Sequence, residues 1–128
     1  MKENEIGSII VDCAVELHRN LGSGLLETVY KVTLARALER RGLAVQRQVA
    51  VPIEYQGETF SEGFRADLIV GKLVIVELKS IERVTPGHKK QLLTYLRLTG
   101  LKLGYLLNFG DGLMRDGITR TINGSIDP

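Results

Sequence analysis

Residues 64–80, FRADLIVGKLVIVELKS, set ionisable side chains into two apolar runs. The runs LIV and LVIV are typical of strands that pack in a core, and Gly71-Lys72 lies between them as a turn. Asp67 adjoins the first run, and Glu77 and Lys79 follow the second. Because an unpaired buried charge is costly, these groups must be paired, metal-bound or solvent-facing. This requirement constrains how the two strands pair.

Apolar spacing predicts helices at the start of the chain and near its end. Side chains at helical intervals predict one helix that ends at Leu21 and a second over 25–41, with Gly42 at its C-terminal cap. Pro86 begins a third predicted helix, which ends by Gly100. These three segments supply the helical part of the predicted fold.

Alternating apolar residues and turn signals predict the strands. Residues 45–55 alternate as a half-buried strand, in which Pro52 indicates an edge position or a bulge. Gln56-Gly57 predicts a hairpin turn. Further strands are predicted at 59–62, on both sides of Gly71-Lys72, at 101–108, and as a short optional edge strand at 118–122. The order α-α-β-β-β-β-α-β(-β) predicts an α/β sheet flanked by helices.

Composition and length favour one globular domain over residues 1–128. The chain is 44% hydrophobic and 25% charged, and no apolar run approaches the roughly 18 residues of a membrane span. The N-terminal MKENEIGS has no apolar stretch of a secretory signal. Cys13 is the only cysteine, which excludes an intrachain disulfide and favours a cytoplasmic protein with Cys13 in its core.

The charge distribution offers a candidate surface for phosphates. No acid occurs between Arg83 and Gly110, whereas that stretch contains five bases. The bases are Arg83, Lys89, Lys90, Arg97 and Lys102. Such a run either receives nucleic-acid phosphates or is an ordinary solvated helix face.

The length of the turn at Gly71-Lys72 decides whether the acids meet. A two-residue turn pairs Asp67 with Val76 and puts the two carboxylates on opposite faces of the sheet. A three-residue turn, or a bulge, sets Asp67 across from Glu77. In that register two carboxylates and a strand carbonyl suit a hard divalent ion such as Mg²⁺, and Lys79 could orient a metal-bound water or stabilise developing negative charge. The alternative is an exposed ion pair between Lys79 and either acid.

Several short motifs resemble one family of enzymes. GFRAD (63–67), VELK (76–79) and QLLTY (91–95) resemble the motifs of the PD-(D/E)XK nuclease superfamily, particularly its RecB-like members. GLLETVY (24–30) and the later GYLLNFG are similar to the GxxExxY family within that superfamily. The resemblance covers nearly the whole chain. It implies a restriction-endonuclease-like core with a mixed sheet flanked by helices.

The resemblance also implies roles for individual residues. Asp67 and Glu77 would be metal carboxylates, the carbonyl of Leu78 a further ligand, and Lys79 the catalytic lysine. Glu27 would complete the metal site. Residues expected to touch nucleic acid or support the site are Gln91, Tyr95, Lys89, Lys90 and Arg97. Together these residues predict a Mg²⁺- or Mn²⁺-dependent nuclease that acts on DNA or RNA.

Alternatives remain for single residues and for the function. Glu27 could instead belong to a capping box with Gly24 as N-cap, Tyr30 could be a core residue, and Gln91 could be an ordinary surface residue. The same fold could serve as a catalytically silent nucleic-acid-binding module or as a non-enzymatic oligomeric or accessory protein. Since the chain is small, a homodimer or a protein partner could supply part of the recognition.

Overall fold

The computed structural model describes residues 1–126, which form three α-helices and five β-strands. The helices are α1 (Glu3–Leu21), α2 (Glu27–Arg40) and α3 (Pro86–Thr99). The strands are β1 (Val45–Tyr55), β2 (Glu58–Val70), β3 (Val74–Lys79), β4 (Leu103–Asn108) and β5 (Ile118–Ile122). A single 3₁₀ turn at Met114–Asp116 lies between the last two strands.

The strands form one mixed sheet in the order β1-β2-β3-β4-β5. β3 and β4 are parallel and are joined by the crossover helix α3, while the other neighbours are antiparallel. One core cluster joins α1 and α2 to one face of the sheet, and a second joins α3 to the other face. The predicted α/β sheet flanked by helices, including the optional last strand, is therefore confirmed.

The helices bury the faces that the spacing of their apolar residues predicted. On α1 the buried side chains include Ile6, Ile10, Cys13 and Ala14, which recur at intervals of three and four residues. Cys13 is thus a core residue, as predicted, and its burial raises the pKa of the thiol. Helix α3 ends at Gly100, which adopts the left-handed cap conformation.

The β1–β2 hairpin has the predicted turn and irregularity. Gln56 and Gly57 both have positive φ, the conformation of a two-residue turn whose twist suits a hairpin. The register shifts between Val51 and Ile53, on either side of Pro52. Because β1 is also an edge strand, both expectations for this proline are met.

One part of the predicted strand order is wrong. Residues 59–62 and 64–70 were expected to be separate strands, but they form the single strand β2. Gly63 lies between them and does not turn the chain. A Cβ atom added there would overlap Cγ2 of Ile53, so this glycine permits close cross-strand packing. Three strands, and not four, therefore precede α3.

Tyr30 anchors the segment between α1 and α2 in the core. Its hydroxyl donates to the carbonyl of Gly22 over 2.6 Å and accepts from the N–H of Leu25 over 3.1 Å. Its ring is fully buried and stacks on Phe109 with centroids 4.3 Å apart. The interpretation of Tyr30 as a core residue is confirmed.

We expect Tyr30→Phe to lower the free energy of unfolding by about 1–3 kcal/mol, because the change removes two part-buried hydrogen bonds, each contributing about 0.5–1.5 kcal/mol. Urea denaturation measures this difference. Tyr55→Phe is the matched control, since Tyr55 is 64% exposed at the hairpin, and it should change stability by less than about 0.5 kcal/mol. Equal effects of the two substitutions would contradict a structural role for the Tyr30 hydroxyl.

Candidate functional site

The connection between β2 and β3 sets the register of the two acids. Leu68 pairs with Val76 and Val70 with Val74, so three residues, 71–73, form the turn. Gly71 and Lys72 both have positive φ, which lets the chain reverse in this space. Extending the register by one pair sets position 67 across from position 77. This is the register that brings the two acids together.

At the two acids, side-chain carboxylates accept the hydrogen bonds from backbone N–H groups between β2 and β3. The N–H of Leu78 donates to Oδ2 of Asp67 over 2.9 Å, and the N–H of Asp67 donates to Oε2 of Glu77 over 2.7 Å. Both carboxylates are buried. Each acid is therefore oriented by a backbone N–H, and the two side chains are held at one place in the sheet.

The alternation of β2 is interrupted at Asp67. Ala66 packs with Ile69 in the cluster beneath α3, whereas Leu68 packs in the cluster on the opposite face. Regular alternation would put Ala66 and Leu68 on the same face. Gln48, which faces this point on β1, has a φ of 51°. The irregularity adds to the three-residue turn in setting the direction of the Asp67 side chain.

Lys31 on α2 joins two of the predicted site residues. Its Nζ lies 3.0 Å from Oδ1 of Asp67 and 3.2 Å from Oε1 of Glu27. Sequence reasoning missed Lys31, although the spacing of Glu27 and Lys31 is that of an ion pair on adjacent helical turns. The ammonium group therefore connects α2 to the acids of the sheet.

The capping-box interpretation of Glu27 is wrong. Leu26 is the N-cap of α2 and no side chain caps this end, so Gly24 does not have that role. Glu27 is the first helical residue, and its carboxylate instead faces the ammonium of Lys31 one turn along the helix. Glu27 is thus linked to Asp67 through Lys31.

Lys79 lies on the same side of β3 as Glu77, since the two positions are separated by two residues. Within residues 1–126 no carboxylate lies within 4 Å of its ammonium, so the exposed ion pair with Asp67 or Glu77 is not formed. The carbonyl of Lys79 accepts from the N–H of Phe109 over 2.8 Å. The backbone at Lys79 is therefore fixed while its amino group is not bound to an acid.

Asn108 fixes the chain just beyond Lys79. Its amide is buried, accepts from the N–H of Ile81 over 3.0 Å and donates to the carbonyl of Ile81 over 2.9 Å. The same side chain also bonds the N–H of Gly110 and the carboxylate of Asp111. Sequence reasoning did not single out Asn108, although an asparagine at the end of an apolar run was a usable signal. The carboxyl ends of β3 and β4 are thereby clamped together.

Burial and a neighbouring negative charge raise the pKa of Glu77. Desolvation, followed by the negative charge of Asp67, raises the pKa of Glu77 to about 7. The Asp67 N–H and the charges of Lys79 and Lys31 act in the opposite direction but do not cancel this effect. Without a bound cation, the site therefore favours a neutral Glu77 below about pH 7.

Helix α3 brings Tyr95 close to the acids. Its ring stacks on Phe64 with centroids 3.8 Å apart. Burial raises the pKa of Tyr95, and the charges of Glu77 and Asp67 raise it further. Gln91, one turn earlier on α3, is exposed, as the surface interpretation expected. Of the predicted pair on this helix, Tyr95 is the one tied to the site.

The predicted basic residues lie on the surface of α3 and just beyond it. Lys89, Lys90, Arg97 and Lys102 are exposed. Lys90 and Arg97 are two helical turns apart and so share a face. His88 forms a capping box with Thr85 at the start of the helix. The positive charges of α3 are therefore free to meet solvent or a ligand, while His88 serves the helix end.

A profile of the PD-(D/E)XK nuclease superfamily matches residues 4–121. The chain therefore belongs to this superfamily, and its mixed sheet flanked by helices agrees with the restriction-endonuclease-like core that the motifs predicted. Searches of curated proteins and of solved structures return no match. Among residues 1–126, no helix is long and apolar enough to cross a membrane. Nor does that part of the chain contain a preformed cluster of three or more His, Cys, Asp or Glu side chains suited to a metal ion.

We expect the free energy of unfolding of the metal-free protein to fall by about 1–3 kcal/mol as the pH rises from about 5 to about 7. Folded Glu77 keeps its proton up to about pH 7, whereas the unfolded side chain loses it near 4.5, so the folded state binds more protons in this window. Denaturant titrations in EDTA at several pH values measure the change.

Glu77→Gln removes this titration and should flatten the profile across the same window. Glu58→Gln, at an exposed position of β2, is the control and should leave the profile as in the wild type. A Glu77→Gln profile that coincides with the wild-type profile would show that Glu77 does not titrate in this range.

Proposed function

We propose that this chain is a divalent-metal-dependent nuclease that hydrolyses phosphodiester bonds in DNA or RNA. The observation that carries the proposal is the pair of buried carboxylates, Asp67 and Glu77, each oriented by a backbone N–H on adjacent strands. Membership of the nuclease superfamily supports it. On the segment GLLETVY we further assign the chain to the GxxExxY family.

The donor set fits Mg²⁺ or Mn²⁺. Asp67 and Glu77 offer hard carboxylate oxygens, and the carbonyl of Leu78 lies on the strand between Glu77 and Lys79. Including Glu27, three carboxylates face two ammonium groups, so the surroundings lack positive charge when Glu77 is ionised. A divalent ion held by these residues would lower the pKa of a bound water molecule and neutralise charge on a phosphate.

Each side chain then has a distinct task. Asp67, Glu77 and the Leu78 carbonyl would hold the ion. Lys79, on the same strand face as Glu77 and without a carboxylate partner, would orient the attacking water or stabilise negative charge on the phosphate. Glu27 would add negative charge to the site, and Lys31 links it to Asp67.

Helix α3 is the proposed nucleic-acid surface. The exposed Lys89, Lys90 and Arg97 would bind phosphates, and Gln91 would lie beside them. Tyr95, on the same helix, is close enough to Asp67 and Glu77 for their charges to raise its pKa. A nucleic-acid strand bound along α3 would therefore bring its phosphates to the acids. A homodimer or a protein partner would supply further contacts.

We expect Lys79→Ala to retain folding and metal binding while cleavage falls by about two to three orders of magnitude, the usual loss of one preorganised electrostatic group. Glu77→Ala should abolish metal binding and cleavage together. The assay is Mg²⁺- or Mn²⁺-dependent cutting of single-stranded, duplex and flapped DNA and of RNA, with calorimetry of metal binding in parallel. Lys72→Asn is the control, because it removes an exposed charge in the β2–β3 turn and asparagine tolerates its positive φ.

Three outcomes would overturn this assignment. If the wild type cuts none of the substrates with either metal ion, or if Lys79→Ala cuts as fast as the wild type, the proposed mechanism is wrong. Nucleic-acid binding without cleavage would favour a catalytically silent binding module. Loss of both properties would favour a non-enzymatic accessory or oligomeric protein.

The basic surface makes a separate prediction for salt dependence. If Lys89, Lys90, Arg97 and Lys102 all contact phosphates, log affinity for duplex DNA should fall against log salt with a slope of about −4, at roughly 0.9 per contact. Replacing Lys89 and Lys90 by Ala should flatten the slope by up to about 2. Fluorescence anisotropy in EDTA measures it, with Lys72→Asn as control. A slope near zero in the wild type would show that this surface is only solvated.

A further inference from the structure

Lys31 forms an ion-pair bridge between two parts of the chain that are distant in sequence. Its ammonium lies between Oε1 of Glu27 on α2 and Oδ1 of Asp67 on β2, at 3.2 Å and 3.0 Å. The lysine side chain is only 17% exposed. It is thus a partly buried cation placed against an acid that we assign to metal binding.

The ammonium remains charged in this position. The Nζ atom of Lys31 lies within ion-pair distance of both Oδ1 of Asp67 and Oε1 of Glu27, and two neighbouring carboxylates stabilise the charged form. Lys31 therefore contributes a fixed positive charge to the site.

Asp67 has different neighbours on its two sides. Oδ1 faces Lys31 and, through it, Glu27. Oδ2 accepts from the N–H of Leu78, and the N–H of Asp67 holds Glu77. Two cation positions could therefore share Asp67: one beside Glu77 and one beside Glu27. Lys31 already occupies the second.

We propose that Lys31 acts as a built-in cation in the position between Glu27 and Asp67, and that it limits the site to one divalent ion, bound on the side of Asp67 and Glu77. A second divalent ion would have to displace the ammonium or lie against it, and like charges at such distances repel strongly in a partly buried site. The two-ion arrangement that clamps both the attacking and the leaving oxygen is then excluded. Lys31 and Lys79 supply the positive charge that a second ion would otherwise bring.

This inference rests on the proposed metal site, and the number of bound ions tests it without an activity assay. Lys31→Met removes the charge and keeps the length of the side chain. Titration with Mn²⁺, followed by calorimetry and by the electron paramagnetic resonance signal of the free ion, should give one ion per chain for the wild type and two for Lys31→Met. Lys31→Arg keeps the charge and should still give one.

A double variant tests where the second ion binds. Adding Glu27→Gln to Lys31→Met removes an acid of the vacated position and should return the number of ions to one. Arg36→Met is the matched control, since it removes a positive charge from an exposed position of the same helix and should leave one ion bound. If Lys31→Met does not fold, Lys31→Gln replaces it, because its amide can still donate to Glu27 or Asp67.

Thermal melts add a second measurement. In EDTA, Lys31→Met should melt below the wild type, because Glu27 and Asp67 lose their shared partner. Saturating Mn²⁺ should then raise its Tm by more than it raises that of the wild type.

The outcomes separate the two proposals. One Glu77-dependent ion in both the wild type and Lys31→Met would overturn the role of Lys31 and leave the metal site standing. A wild type that binds no ion, or an ion that does not depend on Glu77, would overturn both.

Discussion

The reciprocal bonding between Asp67 and β3 is the interaction on which the site depends. The Asp67 carboxylate accepts from the N–H of Leu78, and the Asp67 N–H donates to Glu77. Side chains thus satisfy backbone groups, so neither acid can turn to solvent without leaving a buried N–H unpaired. The contacts that join β2 to β3 at this point are the same contacts that orient the carboxylates.

This arrangement brings like charges together, and the rest of the site compensates. Burial beside Asp67 raises the pKa of Glu77 to about 7, and α2 supplies Lys31 to balance Asp67 and Glu27. The compensation is partial, so Glu77 keeps its proton up to about pH 7. Such residual electrostatic cost is typical of functional sites, because a fully neutralised cluster would have no further affinity for a charged ligand.

Much of the sheet could be predicted because its signals are local. The bulge at Pro52, the turn at Gln56 and the short last strand each follow from residue type and alternation. The division of β2 into two strands was wrong, because Gly63 between them allows a close approach to Ile53 and does not end the strand. The register of Asp67 could not be predicted either, because it depends on whether the following turn has two residues or three.

Lys31 shows why the site itself could not be completed from the sequence. Its spacing from Glu27 indicates an ordinary ion pair on a helix surface, of small energetic consequence. The packing of α2 against the sheet brings that pair against Asp67, and the hydroxyl of Ser80, just after β3, donates to the carbonyl of Leu25, just before α2. A tertiary contact thus converts a surface pair into part of a charge network. With Glu77 ionised, that network contains three acids and two lysines, and the proposed metal site rests on this excess of negative charge.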